Sequence, residues 1–334
     1  MKRMKILQFL GYLVVHVALF VTVPTTVWSM DTAPLHIEND AASAQLTISF
    51  NHRPVLVYAY SARQYKPYIK ALFDLSGYNV LLDAPADHLH HHGIMYAVMV
   101  NGVNYWQERQ ETGTERSIRI EGQQVGINER GLPYASFIDV IEWLDPAGRG
   151  TPEGEQPFLQ ERRTISVTVD EPNKEVAVQW SADFAVGTHT KSIVLTGDPY
   201  NGLGLRLSKD FDSRVTHRNS EKTLDSREGD PNISKARWTA ASINLAAQAS
   251  MVAIFGDLGN HLGDPVYFLM YKPFAYISAT QALDKNKLEY PAGARYRLNF
   301  LVTVYPQVKG SEFLQKRAQD WERAGFQTVG TGAN

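Results

Sequence analysis

The sequence contains no cysteine in its 334 residues. This absence excludes disulfide bridges, a thiol nucleophile, a thiolate metal site and lipid attachment to an N-terminal cysteine. The stability of the folded chain must therefore come from a packed core. A hydrophobic content of 44% in a chain of this length is enough to form one.

The chain also lacks a large net charge and most of the short motifs that indicate catalysis. Its formal net charge is -2, and no basic run is interleaved with aromatic residues, so we expect no nucleic-acid partner. Gly-x-Ser-x-Gly, His-Glu-x-x-His and glycine-rich phosphate-binding motifs are missing from the sequence. These absences argue against serine hydrolases, zinc proteases of that type and nucleotide-binding enzymes.

Long hydrophobic runs are rare, and the one that could enter a bilayer lies at the N-terminus. Three basic residues among the first five precede a mostly apolar segment over 6–23, and cleavage after Ser29 fits the small-residue rule. We therefore expect residues 1–29 to be a signal peptide that sends the protein to the periplasm or outside the cell. An uncleaved N-terminal anchor is the alternative.

The rest of the sequence is typical of β-structure, with short alternating or apolar runs separated by turn residues. So many short strands with no alternating helices predict an all-β fold, namely one large antiparallel β-supersandwich over residues 30–325. We predict strands at 45–50, 55–60, 68–73, 94–100, 118–127, 134–144, 165–169, 175–184, 191–195, 204–207, 237–245, 251–255, 266–270, 274–279 and 295–304.

Two further segments have distinct patterns. Apolar residues at helical spacing after Ser311, a plausible N-cap, predict one C-terminal helix that ends near Ala324. Residues 326–334 are predicted to form a flexible tail. The polar stretch 217–235 is predicted to be a long loop, either a lid over an active site or a surface excursion.

The strongest indication of chemistry is the run Asp-His-Leu-His-His-His-Gly at residues 87–93. Histidine is the side chain whose ordinary pKa lies nearest neutrality, and its neutral form is the commonest metal ligand. If this segment is extended, His88, His90 and His92 share one face and His91 points to the other. The following Asn101-Gly102 lies between apolar segments and predicts a two-residue hairpin, so the histidines lie at its mouth.

These motifs resemble a bacterial family often labelled methane oxygenase PmoA-like. The resemblance is carried by Lys66-Pro67-Tyr68, by the histidine run and by Asn101-Gly102-Val103-Asn104-Tyr105-Trp106, while Leu89 and His92 replace the family's proline and arginine. It implies a soluble, often secreted β-rich protein. It also implies a more distant similarity to sugar-active supersandwich proteins of the galactose-mutarotase type.

We therefore expect a carbohydrate-active enzyme, a hydrolase, lyase or epimerase, that transfers protons through histidine and needs no cofactor. Asp87 is expected to orient one imidazole and to favour its protonated form, and Glu108 to act as a second acid or base. The expected catalytic residues are His90, His91, Asp87 and Glu108. The expected substrate-binding residues are His88, His92, Arg206, Lys209 and His261.

Two alternatives remain open from the sequence. Residues two apart on a strand lie about 6.5–7 Å apart, so His88, His90 and His92 could together hold zinc, iron or copper in a metal-dependent enzyme. The protein could also be a non-catalytic glycan-binding protein of the cell envelope, in which the histidines only bind the ligand.

Overall fold

The computed structural model describes residues 34–148, 156–221, 223–224, 232–246, 248–260 and 265–324. The expected signal peptide, the expected tail and His261 lie outside these residues. All the described residues belong to one compact unit. Among them, no helix combines the length and the apolar character that a membrane crossing requires.

The described residues form 22 strands, one α-helix and three short 3₁₀ helices. The strands are, in chain order, β1 Leu35–Asp40, β2 Gln45–Phe50, β3 Arg53–Ala59, β4 Tyr68–Leu72, β5 Ile94–Ala97, β6 Met99–Val100, β7 Val103–Asn104, β8 Thr114–Ile127, β9 Pro133–Leu144, β10 Leu159–Asp170, β11 Glu175–Val186, β12 Ser192–Thr196, β13 Gly202–Arg206, β14 Thr216–Asn219, β15 Thr223–Leu224, β16 Asn232–Lys235, β17 Thr239–Leu245, β18 Gln248–Gly256, β19 Val266–Met270, β20 Tyr276–Thr280, β21 Leu288–Pro291 and β22 Arg295–Tyr305. The helix α1 is Ser311–Ala324, and the 3₁₀ helices are Pro146–Gly148, Lys209–Phe211 and Leu258–Asn260.

Two nine-stranded sheets make up most of the molecule. The first has the order β1-β2-β3-β4-β5-β13-β20-β19-β16, and the second has the order β15-β14-β17-β18-β22-β11-β10-β9-β8. Neighbouring strands in the first sheet, such as β2 and β3, run antiparallel, as do β10 and β11 in the second. The prediction of an all-β, antiparallel sandwich with one C-terminal helix is therefore confirmed.

The core lies between the two sheets because each sheet turns an apolar face inward. Along β2, buried residues alternate with half-buried ones, so Leu46 and Ile48 point to the same side. They belong to one hydrophobic cluster with Ile165 and Val167 of the second sheet. A hydrogen bond of 2.8 Å from the hydroxyl of Tyr58 on β3 to the carboxylate of Asp139 on β9 also joins the sheets.

The helix α1 covers part of the second sheet. Its buried residues are Leu314, Ala318 and Trp321, four and three positions apart, which places them on one face. They pack in a separate hydrophobic cluster with residues of β17, β18 and β22 such as Ala253 and Leu301. The apolar spacing seen in the sequence therefore marks the face of α1 that packs on the sheet.

A small third sheet, in the order β21-β12-β6-β7, carries the predicted hairpin. Strands β6 and β7 pair through Asn101 and Gly102, whose φ angles are 51° and 82°. Both values lie in the left-handed region that such a turn requires, so the hairpin prediction is confirmed. At the end of β7, the side chain of Asn104 accepts hydrogen bonds from the backbone N–H groups of Trp106 and Gln107 at 2.7 and 3.0 Å.

The prediction of a structureless stretch at 217–235 is wrong at both ends. Residues up to Asn219 belong to β14, and Asn232–Lys235 forms β16 at the edge of the first sheet. These strands contain polar residues because one face of an antiparallel sheet can contact water, so their sequence does not show an apolar strand pattern. Most of the residues between these strands lie outside the described ones.

Candidate functional site

The histidine run folds as two successive turns and not as a strand. The backbone N–H of His88 donates to the carbonyl of Pro85, and that of His91 to the carbonyl of His88, each at 2.9 Å. The N–H of Ala84 closes the turn by donating to the carbonyl of His91 at 2.9 Å. The alternation of faces expected for an extended segment is therefore wrong, because these local hydrogen bonds curl the backbone.

This curl brings three imidazole rings together and turns a fourth away. The ring of His91 lies 4.7 Å from that of His88 and 4.6 Å from that of His90, centroid to centroid. The ring of His92 stacks instead on Tyr68, at 3.8 Å and an interplanar angle of 15°. The set His88, His90 and His92, expected as alternative metal ligands, therefore does not share one face.

The three clustered imidazoles open onto a cavity of about 260 Å³, which we call the histidine–aromatic cavity. Its walls come from the histidine turn, from the segment after β7, from the residues before β13, and from β19, β20 and the loop between them. The lining residues are His88, His90, His91, Trp106, Gln107, Tyr200, Phe268, Met270, Phe274 and Tyr276. The cavity is thus assembled from chain segments that are far apart in sequence.

Aromatic rings hold the cavity histidines in place. His91 meets Trp106 edge to face at 5.9 Å and Phe274 at 5.2 Å. His88 meets Phe274 at 4.8 Å, also edge to face. Tyr276 fits beside Gly204 of the neighbouring strand, where a Cβ atom would collide with the tyrosine hydroxyl. The cavity therefore depends on a glycine at that position.

The cavity keeps two of its histidines neutral. Burial and the nearby Lys66 ammonium lower the pKa of His90 to about 4. Burial and the neighbouring rings of His90 and His88 lower the pKa of His91 to about 3. The ordinary pKa of histidine lies near neutrality, but desolvation disfavours the charged imidazolium and moves both pKa values well below it.

Asp87 lies at the rim of this turn, on its exposed side. Its carboxylate is 3.1 Å from Nδ1 of His88, and hydrogen bonding to His88 lowers the pKa of Asp87. The structure therefore places Asp87 beside one imidazole, that of His88, as expected. The catalytic role expected for Asp87 stays a prediction. Leu89, between His88 and His90, is 65% exposed.

His92 and Glu108 form a separate ionic network behind the cavity, which we call the His92 network. Nδ1 of His92 lies 2.7 Å from a carboxylate oxygen of Asp83, and Nε2 lies 2.8 Å from Oε1 of Glu108. The buried Lys66 ammonium donates to the same Oε1 at 2.8 Å and to the carbonyl of Trp106 at 3.2 Å. His92, expected to bind substrate, and Glu108, expected to be catalytic, are thus engaged with each other.

The charges of this network stabilise one another. Burial alone would lower the pKa of His92, but hydrogen bonds to Asp83 and Glu108 outweigh it, and the pKa of His92 is raised. Burial alone would raise the pKa of Glu108, but the hydrogen bond from His92 and the Lys66 charge lower it to about 2. Glu108 is therefore held as a carboxylate and is a weak proton acceptor.

The remaining expected site residues lie elsewhere. Arg206 is buried and donates to the carbonyl of Ala275 at 3.1 Å and to Asp212 at 3.3 Å, with its guanidinium 4.3 Å from the Phe274 ring centroid. It supports a cavity wall from behind. Lys209 is exposed on a 3₁₀ helix, and His261 lies outside the described residues.

Most of the residues in the cavity wall carry no functional signal in the sequence. Tyr200, Phe268, Met270 and Tyr276 line the cavity, but each lies in a segment that looks like ordinary strand or turn. No local signal separates them from the many other aromatic and apolar residues of the core. Among the described residues, no group of three or more His, Asp or Glu side chains is arranged to hold a metal ion.

The fold and the cavity define a class, a β-sandwich protein with a neutral, aromatic-walled pocket. The model of DUF6807, a family of unknown function, matches residues 45–319, and the chain therefore belongs to that family. The resemblance to PmoA-like proteins stays a prediction. A search of curated proteins gave no match to the chain.

Among solved structures, the chain is similar to the GH36 α-galactosidase AgaB from Geobacillus stearothermophilus, with a TM-score of 0.49 and 12% identity over 81% of this chain and 41% of that one. The chain is also similar to the α-galactosidase from Lactobacillus brevis, with a TM-score of 0.49 and 8% identity over 81% of this chain and 40% of that one. A TPR-domain containing protein from Parabacteroides distasonis has a TM-score of 0.39 and 12% identity, over 80% and 48% of the two chains. The chain thus spans about two fifths of the length of these α-galactosidases.

Proposed function

We propose that the protein binds a carbohydrate in the histidine–aromatic cavity and acts on it by proton transfer. The observation that carries the proposal is the arrangement of three imidazoles against a wall of aromatic rings around one cavity. A sugar ring has an apolar C–H face that suits aromatic rings. It also has hydroxyl groups, which suit imidazole nitrogens that can donate or accept hydrogen bonds.

The size of the cavity favours a single sugar residue. Its volume of about 260 Å³ is slightly below the range of about 300–1,000 Å³ that is typical of pockets for drug-sized ligands. A longer glycan would therefore place one sugar residue in the cavity and leave the others outside it.

The state of the histidines favours a reaction that begins with removal of a proton. His90 and His91 are neutral because their pKa values are lowered to about 4 and about 3, and a neutral imidazole can accept a proton. None of the described residues that line the cavity is Asp or Glu, whereas most glycoside hydrolases use a pair of carboxyl groups. Within the proposal, lyase or epimerase chemistry is therefore preferred to hydrolysis.

A second candidate is a non-catalytic glycan-binding protein. The same lowered pKa values make His90 and His91 weak bases, and binding alone requires only that the rings donate and accept hydrogen bonds. The aromatic wall serves this role equally well. The two candidates differ in whether the bound sugar is changed.

The test is a panel of monosaccharides and oligosaccharides, with binding measured by calorimetry and products by mass spectrometry. We expect one carbohydrate class to bind and to be converted, with a loss of about 10²–10⁴-fold in rate for His90→Ala. His36→Ala is the matched control, because His36 is exposed on β1 and far along the chain from the turn.

Each outcome of this panel separates the candidates. Conversion whose rate stays constant from neutral pH downward and falls only near pH 4, the pKa of His90, supports catalysis by the neutral ring. Binding without conversion favours the second candidate. A protein that binds no carbohydrate at all contradicts both.

A further inference from the structure

We infer that His92 is a positioning residue: clamped between Asp83 and Glu108 at its two ring nitrogens, it fixes the histidine turn against the opposite wall of the cavity. The clamp itself does not depend on the proposed function. Its effect on ligand binding rests on the proposed function, because that effect is measured as the affinity for the carbohydrate proposed to bind in the cavity.

The geometry defines the charge of His92. Both of its nitrogens lie within hydrogen-bond distance of a carboxylate oxygen, at 2.7 and 2.8 Å. An ionised carboxylate can only accept hydrogen bonds, and a neutral imidazole has a single N–H to donate. Both contacts are hydrogen bonds only if the ring is an imidazolium with two N–H groups.

The clamp joins the two sides of the cavity. Asp83 immediately precedes the turn that Ala84 closes onto His91, and His92 immediately follows it. Glu108 comes directly after Gln107, which lines the facing wall together with Trp106. A single imidazolium therefore fastens the base of the histidine turn to the segment that carries the aromatic wall.

The surroundings of His92 are balanced in charge. Among the described residues, the charged groups that face it are Asp83, Glu108 and Lys66, and the neutral His90 is a further titratable neighbour. The ring plane of His92 is covered by Tyr68, whose hydroxyl also donates to Asp83 at 3.2 Å. With His92 charged, two buried cations balance two carboxylates. Loss of the His92 charge therefore leaves two carboxylates with one cation.

Two substitutions separate charge from shape. His92→Arg keeps a planar cation that can stack on Tyr68 and donate to both carboxylates. His92→Gln keeps a polar side chain but removes the charge, and its amide cannot replace both charge-assisted hydrogen bonds. His36→Gln, on the exposed β1 residue, is the control for removal of a histidine elsewhere.

The first readout is the set of NMR ring signals of His88, His90 and His91 in the full chain. We expect these signals in His92→Arg to match those of the control, and in His92→Gln to shift or broaden. Unchanged signals in His92→Gln, or equal disturbance in both variants, would overturn the inference. If His92→Gln does not fold, Glu108→Gln, which removes one charge of the clamp, must show the same disturbance, and unchanged signals there overturn it as well.

The second readout is the dissociation constant for the carbohydrate that binds the wild-type protein. We expect His92→Gln to weaken binding by at least about tenfold, equal to about 1.4 kcal/mol, and His92→Arg to stay within about threefold of wild type. Equal affinities in all variants would overturn the inference. If the wild-type protein binds no carbohydrate, the proposed function fails, while the NMR signals still decide the role of His92.

Discussion

At the residue scale, His91 and His92 are neighbours in sequence whose rings lie in opposite electrostatic surroundings. His91 is enclosed by aromatic rings and two other imidazoles, and burial lowers its pKa to about 3. His92 lies between two carboxylates, whose hydrogen bonds raise its pKa despite burial. The His91 ring is therefore neutral at the cavity, and the His92 ring is charged within the His92 network.

The first prediction concerns the pH dependence of stability in the His92 network. The raised pKa of His92 stabilises the fold fully below its unfolded pKa of about 6.5, and this contribution is lost as the pH rises through the folded pKa. The lowered pKa of Glu108 stabilises the fold above pH 4.5, and this contribution is lost as the pH falls toward 2.

Urea denaturation of the wild type and of His92→Gln measures the contribution of the His92 charge to the free energy of unfolding. We expect the difference in free energy of unfolding to be largest near pH 5–6, about where both contributions are present, and to shrink at alkaline pH. A difference that stays constant from pH 5 to about pH 10 contradicts a charged His92.

The second prediction concerns Gly204, which allows Tyr276 to line the cavity. A Cβ atom there would collide with the tyrosine hydroxyl, so Gly204→Ala must displace the ring and destabilise the protein by about 1–3 kcal/mol. Gly126→Ala on β8 is the control, because its Cβ would make only ordinary contacts with Tyr134. Chemical denaturation checks the stability, and carbohydrate binding should weaken in Gly204→Ala alone.

At the element scale, the helix α1 shows how local pattern and packing agree. Apolar spacing after Ser311 predicts a helix ending near Ala324, and the structure has α1 at Ser311–Ala324. Strand β2 agrees equally well, since alternation over 45–50 matches Gln45–Phe50. The sequence pattern does not predict strand β1, because its residues are mostly exposed and polar, with burial limited largely to Leu35.

The third prediction follows from the buried face of α1. Leu314 is fully buried between the helix and the second sheet, so Leu314→Ala should lower the free energy of unfolding by about 2–5 kcal/mol. Gln319→Ala, on the exposed side of the same helix, should change it by less than about 0.5 kcal/mol. Equal effects in urea denaturation would show that α1 does not pack on the sheet through this face.

At the scale of the whole molecule, a buried group of charges lies between the two sheets. Arg163 on β10 is fully buried and binds Glu161 at 2.6 Å and Glu115 at 3.1 Å. It also donates to the carbonyl of Pro67 at 2.8 Å, in the segment that leads into β4 of the first sheet. Burial raises the pKa of Glu115 and raises that of Asp139 to about 6, so the packing of the two sheets is coupled to proton binding by these carboxyl groups.

The fourth prediction compares two adjacent arginines. Arg163→Met leaves buried carboxylates without their cation and should destabilise the protein by about 3–5 kcal/mol. Arg162→Met removes only an exposed ion pair with Glu121 and should cost at most about 1 kcal/mol. Denaturant unfolding monitored by tryptophan fluorescence checks both, and similar midpoints for the two variants would contradict the structural role of Arg163.

Features that depend on near neighbours along the chain can be predicted from the amino-acid sequence. Alternation fixed strands such as β2, helical spacing fixed α1, and the residues Asn101 and Gly102 fixed the hairpin turn. Each of these rests on contacts within a few positions, where side-chain periodicity and backbone preference act directly. The histidine run was visible for the same reason, as a local concentration of one chemical group.

The surroundings of those histidines depend on contacts between distant parts of the chain. His92 meets Glu108 sixteen positions away, and His91 meets Phe274 and Tyr276 from another part of the first sheet. Such contacts are set by how the strands are ordered in the sheets, and no local pattern encodes that order. The pKa of each ring follows from these distant neighbours, because burial and nearby charge, and not residue type, determine which histidines are neutral.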